Sequence, residues 1–269
     1  MFVPLKGSWA LVLGVSSGMG KETARALAAA GCNIIGVHFD LAEGRQRAQE
    51  YAESLGELGV EAHFFNRNVA AEQARAELVP VIRDLTSGAG TRVVLHSVAY
   101  GTLTSLLPAP GGQEGEAPEV TPRQLTMTVD VMGHSLVYWM QDLVRAELLP
   151  RGAKVFAMTS AGGTRVLPGY APVSAAKATL EAHVRDLAVE LAPRGVAVNA
   201  IRAGTTVTPA LRKIPGSDKL IAHCREINPG GRLTRPEDVA EAIVTLSSSD
   251  SAWLTGNVIG VDGGEALVV

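Results

Sequence analysis

Short apolar runs alternate with amphipathic segments along nearly the whole of this 269-residue chain. Apolar runs between turn residues predict strands, and apolar residues at every third or fourth position predict helices. The predicted strands are 9–13, 33–37, 62–65, 92–95, 154–158, 197–201 and 257–261, and the predicted helices are 24–30, 46–55, 74–85, 121–149, 174–191 and 236–246. This alternation implies right-handed crossovers and a parallel sheet covered on both faces. We therefore expect one α/β domain spanning 1–269, built on a doubly wound sheet of about seven strands.

The composition argues against several classes of function. The formal net charge is −3, and no run of lysine and arginine is dense enough to indicate binding to nucleic acid or to an anionic membrane. Cys32 and Cys224 show neither metal-ligand spacing nor a disulfide pattern, so no metal is predicted. The first residues lack the features of a signal peptide, and no apolar run reaches the roughly 18 residues of a membrane span. We expect a cytoplasmic protein that acts on small molecules.

A glycine-rich turn joins the first predicted strand to the first predicted helix. In such a turn, glycines let the backbone approach a pyrophosphate, and the free N–H groups at the helix start face the anion. A tight turn without a ligand is the alternative, but the strand-turn-helix context favours a dinucleotide and a Rossmann-type sheet. The candidate phosphate-binding residues are Gly14, Ser16, Ser17, Gly18, Met19 and Gly20.

The end of the second strand bears on the choice of cofactor. An acidic residue about 20 positions beyond the glycines would hold the ribose diol of NAD. Asp40 has this position, whereas His38, Arg45 and Arg47 are able to accept the 2′-phosphate of NADP. The sequence therefore predicts NADP or NAD and leaves the choice open.

Tyr170 and Lys177 form the second informative pair. A tyrosine hydroxyl is a poor acid or base at neutral pH unless a nearby cation stabilises its charged form, and Lys177 would supply that cation. A regular helix would place residues seven positions apart about 10 Å from each other along its axis. Pro172 disfavours helix at Ala171 and predicts a helix start at or after Pro172, which leaves Tyr170 in a lead-in able to fold over the site. A packing tyrosine and a surface lysine are the alternative, and the glycine turn favours catalysis.

At this point the chain resembles the short-chain dehydrogenase/reductase family over essentially its full length. The segments that carry the resemblance are the glycine turn at 14–20, Val-Asn-Ala-Ile-Arg-Ala-Gly at 198–204, and Leu-Thr-Gly-Asn-Val-Ile-Gly-Val-Asp-Gly-Gly at 254–264. Most members carry a tyrosine four residues before the lysine, where this chain has Val173. The six-residue gap between Tyr170 and Lys177 is similar to that of the enoyl-acyl-carrier-protein reductase branch.

Further residues resemble the same branch. The sequence His-Ser-Val-Ala at 96–99 resembles its strand-four ending, Asp130 replaces the asparagine of most relatives, and Ala-Gly at 203–204 replaces Pro-Gly. Two features differ from the best-known members: the glycine spacing is that of the wider family, and Ser160 stands where many have a second tyrosine. A smaller sub-branch combines these two features and is most similar to this chain.

The resemblance implies reduction of the trans-2 double bond of an enoyl thioester, carried by acyl carrier protein or coenzyme A, in fatty acid synthesis. The implied catalytic residues are Tyr170, Lys177 and Ser160, with Thr159 competing with Ser160 for the contact to substrate. Besides the glycine turn, the implied cofactor-binding residues are His38, Asp40, Asn68, Val69, Ser97, Val98, Ala99, Lys177, Gly204, Thr206 and Thr208. The expected substrate loops are 99–120 and 203–230, and the Pro/Gly-rich part of the first is read as a pocket rim or as a plain surface loop.

Two rival functions use the same parts. A carbonyl or 3-ketoacyl reductase, or an alcohol dehydrogenase, is the enzymatic rival, and Val173 and Asp130 argue against it. A cofactor-binding regulatory protein is the other rival, and the presence of both Tyr170 and Lys177 argues against that. Relatives commonly form tetramers through the helices equivalent to 121–149 and 174–191, so the resemblance also implies a homotetramer.

Overall fold

The fold is built around one parallel sheet, described here from a computed structural model for residues 3–108, 119–214 and 216–268. Seven strands pair in the order β3-β2-β1-β4-β5-β6-β7, and every pairing is parallel. The strands are β1 Trp9–Leu13, β2 Asn33–His38, β3 Ala62–Asn66, β4 Val93–His96, β5 Lys154–Ser160, β6 Ala197–Ala203 and β7 Val258–Val261. The order reverses between β1 and β4, which is where doubly wound sheets form a ligand crevice. The predicted fold class is confirmed.

Eight α-helices connect and cover these strands in the described part of the chain. They are α1 Gly18–Ala29, α2 Ala42–Gly56, α3 Glu72–Leu85, α4 Pro122–Val129, α5 Ser135–Arg145, α6 Ala171–Leu191, α7 Ser217–Ile227 and α8 Pro236–Ser247. The helix starts follow their sequence signals. Thr121 caps α4 and shares a capping box with Gln124, and prolines stand in the first turns of α4, α6 and α8.

Alternate residues of the sheet pack on opposite faces. In β1, Leu11 and Leu13 belong to the core that α3, α5 and α6 complete, whereas Ala10 and Val12 belong to the core under α1 and α8. All five residues of β1 are buried, because a central parallel strand has helices on both sides. The largest buried side chain of the first core, Trp139, also donates from Nε1 to the Val69 carbonyl at 2.9 Å. This bond ties α5 to the segment that follows β3.

The predicted helix over 121–149 is wrong as one continuous element. α4 ends at Val129, and a π-helical turn, Asp130–His134, separates it from α5. A π turn contains one more residue per hydrogen-bonded ring, so it shifts the apolar stripe of α5 relative to that of α4. Periodicity alone missed this insertion because the apolar residues keep helical spacing on both sides of it.

Two other predictions need correction. The segment 203–230, expected to be a substrate loop, contains α7, whose sequence buries only Ser217, Ile221 and Cys224 and so gives a weak helical signal. Helix α6 begins at Ala171, one residue before the start that Pro172 predicts. The proline occupies the first turn, where it has no N–H to contribute and disturbs nothing. In the other expected substrate loop, 99–120, residues 109–118 lie outside the described residues.

Neither a membrane span nor a metal cluster is found in the part of the chain that the structure describes. No helix there is long and apolar enough to cross a membrane, and no group of three or more candidate ligands could hold a metal ion. Cys32 and Cys224 are both free and buried, in agreement with the lack of a disulfide pattern.

Leu136 offers a test of the core under α5. The Leu136→Ala variant removes a side chain that is fully buried between α5 and the sheet, so the free energy of unfolding should fall by about 3 kcal/mol. Urea unfolding of both proteins measures this change. Leu58→Ala, at a half-exposed position (47% exposed), is the control and should change stability by less than about 1 kcal/mol. Equal losses in the two variants would contradict the described packing.

Candidate active site

The strands deliver the candidate residues to one edge of the sheet, the carboxyl edge. β1, β4, β5 and β6 lie side by side, and because all are parallel their last residues come together. The glycine turn follows β1, Ser97 follows β4, Ser160 ends β5, and Gly204 follows β6. Ligands of open α/β sheets bind at this edge, beside the point where the strand order reverses.

The glycine turn is packed backbone against backbone. A Cβ on Gly14 would overlap the Ser97 carbonyl oxygen, and a Cβ on Gly20 would overlap the Gly14 carbonyl oxygen. Gly14 also has a φ of +94°, a conformation that disfavours other residues. The packing therefore requires glycine at both positions, and the approach of this turn to a pyrophosphate stays a prediction.

The start of α1 is open to an anion. Ser17 occupies the N-cap position without a side-chain hydrogen bond to the helix, and the first turn contains no acidic residue. The first N–H groups of a helix lack internal partners and carry the positive end of the helix dipole. A glycine cradle before an uncapped helix start fits the pyrophosphate of a dinucleotide. Ser16 and Met19 lie partly buried in the same turn.

The end of β2 presents a carboxylate in a fixed orientation. Asp40 Oδ2 lies 2.8 Å from Nδ1 of the buried His38, and the Asp40 N–H donates to Asn66 Oδ1 at 2.8 Å. The two arginines suggested for a phosphate lie on α2, where both are exposed and Arg47 is 3.7 Å from Glu43. His38 therefore faces Asp40, and Asp40 is held at the strand end.

The residues after β3 and β4 form the adjoining wall. Val69 is 6% exposed and belongs to the core, while the side chain of Asn68 accepts a hydrogen bond from Ala70 N–H at 3.0 Å. The Ser97 N–H donates to the Leu13 carbonyl at 2.7 Å, which continues the sheet beyond β4. Val98 is buried and Ala99 is exposed at the start of the following loop.

The segment 204–208 crosses the front of the glycine turn. A Cβ on Gly18 would lie 3.5 Å from the Thr208 methyl group, so the segment and the start of α1 are in contact range. The Thr206 hydroxyl donates to the Gly204 carbonyl at 2.9 Å, whereas Thr208 Oγ1 accepts from the Leu211 N–H at 3.1 Å and keeps its own proton. Thr208 is therefore the better-placed side-chain donor of the two.

Glu265 anchors the same segment, and sequence reasoning missed it. Its carboxylate accepts the Thr205 N–H at 3.0 and 3.1 Å and the Thr205 hydroxyl at 2.9 Å. Glu265 is 8% exposed, and it lies 60 positions away in the sequence. A lone glutamate after the final glycines gives no sequence signal for this long-range bond.

Tyr170, Ser160 and Lys177 lie where β5 ends and α6 begins. Tyr170 is the N-cap residue of α6, and its hydroxyl lies 3.5 Å from Ser160 Oγ. The side chain of Tyr170 also packs on Gly162, where a Cβ would come within 2.5 Å of the ring. Lys177 is 5% exposed, and its Nζ donates to the Met158 carbonyl at 2.6 Å. Tyr170 and Ser160 thus come together, whereas the Lys177 ammonium is bound to the Met158 carbonyl.

The electrostatic expectation for Tyr170 is wrong. We expected the Lys177 cation to lower the pKa of Tyr170, but burial of the ring raises that pKa, with the Ser160 hydrogen bond acting weakly in the opposite direction. The Lys177 ammonium is directed at the Met158 carbonyl instead of the tyrosine hydroxyl. Tyr170 is therefore a neutral hydrogen-bond donor at neutral pH.

The position four residues before the lysine is apolar and enclosed. Val173 is 4% exposed and packs with Met132 and Ala176 in a small core that Tyr170 also contacts. Asp130 begins the π turn, and its Oδ1 accepts the Tyr138 hydroxyl at 2.7 Å. Neither position offers the tyrosine or asparagine that most family members carry there.

His96 is a buried group that sequence reasoning did not single out for its side chain. Ser135 donates its hydroxyl to the Val131 carbonyl at 2.7 Å, so His96 Nε2, 2.8 Å from Ser135 Oγ, is the donor in that pair. The other ring nitrogen, Nδ1, is buried and has no hydrogen-bond partner among the described residues. Burial, and to a smaller extent the charge of Lys177, lowers the pKa of His96 to about 3.

Comparison with known proteins shows the family of this chain. The family model described as enoyl-(acyl carrier protein) reductase matches residues 14–265. The NADH-dependent enoyl-[acyl-carrier-protein] reductase FabI of Escherichia coli is 34% identical over 175 residues, which cover 64% of this chain and 63% of that protein. The cis-4-hydroxycyclohexanecarboxylate dehydrogenase of Sinomonas cyclohexanicum is 30% identical over 263 residues, 96% of each chain.

A solved structure shows the same fold at lower sequence identity. The NADH-dependent enoyl-[acyl-carrier-protein] reductase of Aquifex aeolicus superposes with a TM-score of 0.84 at 24% identity, covering 98% of both chains. At this identity the likeness concerns the fold alone.

The doubly wound sheet and the glycine turn after its first strand are those of a Rossmann-type dinucleotide-binding fold. The chain belongs to the short-chain dehydrogenase/reductase family and resembles its enoyl-acyl-carrier-protein reductase branch. As a member of this family it is an NAD(P)-dependent enzyme.

His96 gives the protein a predictable response to acid. Between its folded pKa of about 3 and its ordinary value near 6.5, the unfolded chain binds a proton that the folded chain does not. The free energy of unfolding should therefore fall as the pH drops through that window. Urea unfolding at several pH values between 4 and 7 measures the slope. The His96→Asn variant, which cannot titrate, should show a flatter slope, and an equally steep slope would contradict this account.

Proposed function

We propose that this protein reduces the trans-2 double bond of an enoyl thioester with NAD(P)H. Two observations carry the proposal. A buried valine, Val173, stands where most family members have the tyrosine that donates a proton. In addition, the Tyr170 hydroxyl lies beside Ser160 at the end of β5. The two hydroxyl groups available to substrate there come from Ser160 and from Tyr170, seven positions before the lysine. This arrangement resembles the enoyl reductase branch.

The residues of the site suit charge that appears on a thioester oxygen. When bound, the reduced nicotinamide supplies a hydride to the β-carbon of the substrate, and negative charge develops on the thioester oxygen. Tyr170 and Ser160 donate hydrogen bonds to that oxygen, aimed at charge present mainly in the transition state. Lys177 would hold the ribose of the cofactor and add positive charge. The enolate would then take a proton from water at the α-carbon, which completes the reduction.

Reduction of a ketone is the second candidate, and the relatives that match over the whole chain favour it. The cis-4-hydroxycyclohexanecarboxylate dehydrogenase is one, and the 3-oxoacyl-[acyl-carrier-protein] reductase FabG of Aquifex aeolicus is another, 28% identical over 98% of this chain. The same Tyr170 and Ser160 hydroxyls are able to hold a ketone oxygen. The branch resemblance also supports three further parts of the proposal. The thioester is carried by acyl carrier protein or coenzyme A, the reaction belongs to fatty acid synthesis, and the protein is a homotetramer.

A crossed assay separates the two candidates. Purified protein is mixed with NADH or NADPH and with crotonyl or acetoacetyl thioesters, and the absorbance of the reduced cofactor is followed. Loss of absorbance with the crotonyl substrate alone is the expected result. Loss with the acetoacetyl substrate alone would make the enzyme a ketone reductase and overturn the argument from Val173.

Tyr170→Phe tests the proposed donor. The variant removes the hydroxyl and keeps the ring, so turnover should fall at least about 100-fold while the dissociation constant of NAD(P)H stays unchanged. Steady-state kinetics and fluorescence titration measure the two quantities. Tyr51→Phe removes a hydroxyl that bonds to the Lys21 carbonyl on the other face of the sheet and should leave turnover unchanged. Full activity in Tyr170→Phe would exclude Tyr170 from the mechanism.

The fixed carboxylate at the end of β2 supports NADH as the cofactor. Asp40 is held by His38, and Arg67, which follows β3, pairs with Glu77 at 2.9 Å. A 2′-phosphate beside this carboxylate would meet like charge.

We therefore expect a higher kcat/KM with NADH than with NADPH. Asp40→Asn removes the charge and should lower that preference by about tenfold, measured as the ratio of the two kcat/KM values. Glu43→Gln, on a side chain that is 91% exposed in the next helix, is the matched control and should leave the ratio unchanged. An unaltered ratio in Asp40→Asn would show that Asp40 does not select the cofactor.

A further inference from the structure

Glu181 is a carboxylate near Lys177 on α6, and the mechanism above does not use it. Glu181 follows Lys177 by one turn of α6. Its Oε1 accepts the hydroxyl of Thr159 at 2.6 Å, and Thr159 is 4% exposed at the end of β5. A helix residue is thereby tied to the strand that also carries Ser160.

Gly163 keeps this carboxylate close to the lysine stem. A Cβ on Gly163 would lie 3.0 Å from Glu181 Oε1 and 3.5 Å from Lys177 Cβ. Glu181 and Lys177 therefore face the same glycine in the short turn that leads from Ser160 toward Tyr170. A Cβ at this position would crowd the Glu181 carboxylate and make an ordinary contact with Lys177.

The Lys177 ammonium has few partners of its own. It carries three protons that can be donated, and the Met158 carbonyl accepts one of them. Burial lowers the pKa of Lys177 to about 8, and the negative charge of Glu181 acts in the opposite direction. Without that charge, the buried lysine would lose its proton at a lower pH.

We propose that Glu181 is a positioning residue that acts through Lys177: held by Thr159, its carboxylate keeps the buried ammonium charged at the pH at which the enzyme works. Glu181 touches no reacting atom in this scheme. The charge it sustains is the charge that holds the cofactor ribose, so the inference rests on the proposed role of Lys177 and not on the identity of the substrate.

The other groups around Lys177 do not replace this charge. His96, on β4, is neutral above about pH 3 because it is buried. Tyr170 is neutral because burial raises its pKa. Asp130, in the π turn, bonds to the Tyr138 hydroxyl and forms no hydrogen bond to Lys177 among the described residues. Thr159 and Ser160, from β5, do not titrate in the relevant range.

The test measures cofactor binding against pH, without any substrate. Dissociation constants of NADH and NADPH are determined by calorimetry between pH 6 and 10, and binding to the parent protein should weaken as Lys177 loses its proton. This weakening at high pH is called the alkaline limb of the profile. Lys177→Gln should abolish the limb, which would show that Lys177 causes it. Glu181→Gln should move the limb to lower pH by about one unit or more, since an opposite charge nearby raises the pKa of a lysine.

Matched variants separate the charge of Glu181 from its bulk. Glu181→Asp should restore much of the parent profile, and Thr159→Val, which frees the carboxylate without removing it, should produce a smaller shift in the same direction. Glu190→Gln, at an exposed position on the same helix, should leave the profile unchanged. A limb that stays in place in both Glu181→Gln and Thr159→Val would overturn the proposal, and so would a parent profile without a limb. Failure of enoyl reduction in the crossed assay would leave these binding results unaffected.

Discussion

The backbone of α1 rests directly on the backbone of the turn that follows β1. Gly20 lies against the Gly14 carbonyl, and Gly14 lies against the Ser97 carbonyl after β4, so three elements approach one another without side chains between them. This contact fixes where α1 begins, and it brings the free N–H groups of its first turn to the carboxyl edge. The segment bearing Thr208 then packs over the same turn. The crevice of the site depends on this backbone packing.

Burial decides the charge state of each group in the reacting centre. It raises the pKa of Tyr170, lowers that of His96 to about 3 and lowers that of Lys177 to about 8. Desolvation disfavours the charged form in every case, so the tyrosine and histidine stay neutral while the lysine stands near its titration point. A neutral tyrosine suits a role as hydrogen-bond donor to a developing oxyanion. Because the pKa of Lys177 is close to neutral pH, we infer that the charge of the nearby Glu181 carboxylate affects the protonation of Lys177.

One scaffold serves two reactions in this family, and few residues distinguish them. The relatives that match along the whole chain include a dehydrogenase and a ketoacyl reductase, while the FabI match covers 64% of this chain. Fold and cofactor turn are shared by both groups, so neither discriminates. The contact that we propose to discriminate between them is local: Val173 fills the usual tyrosine position and packs against Tyr170. The reaction proposed for this protein therefore depends on the residues around a single turn of α6.

By itself, the sequence determined the order of the strands and the glycine turn, because these features depend on local periodicity and short spacings. Only the tertiary structure decided the π turn at Asp130–His134, since apolar spacing is the same on both sides of an inserted residue. It also decided the bond between Thr159 and Glu181, 22 positions apart, because such contacts form only after β5 and α6 pack together. Desolvation is likewise a property of the packed molecule, and no spacing of residues records it.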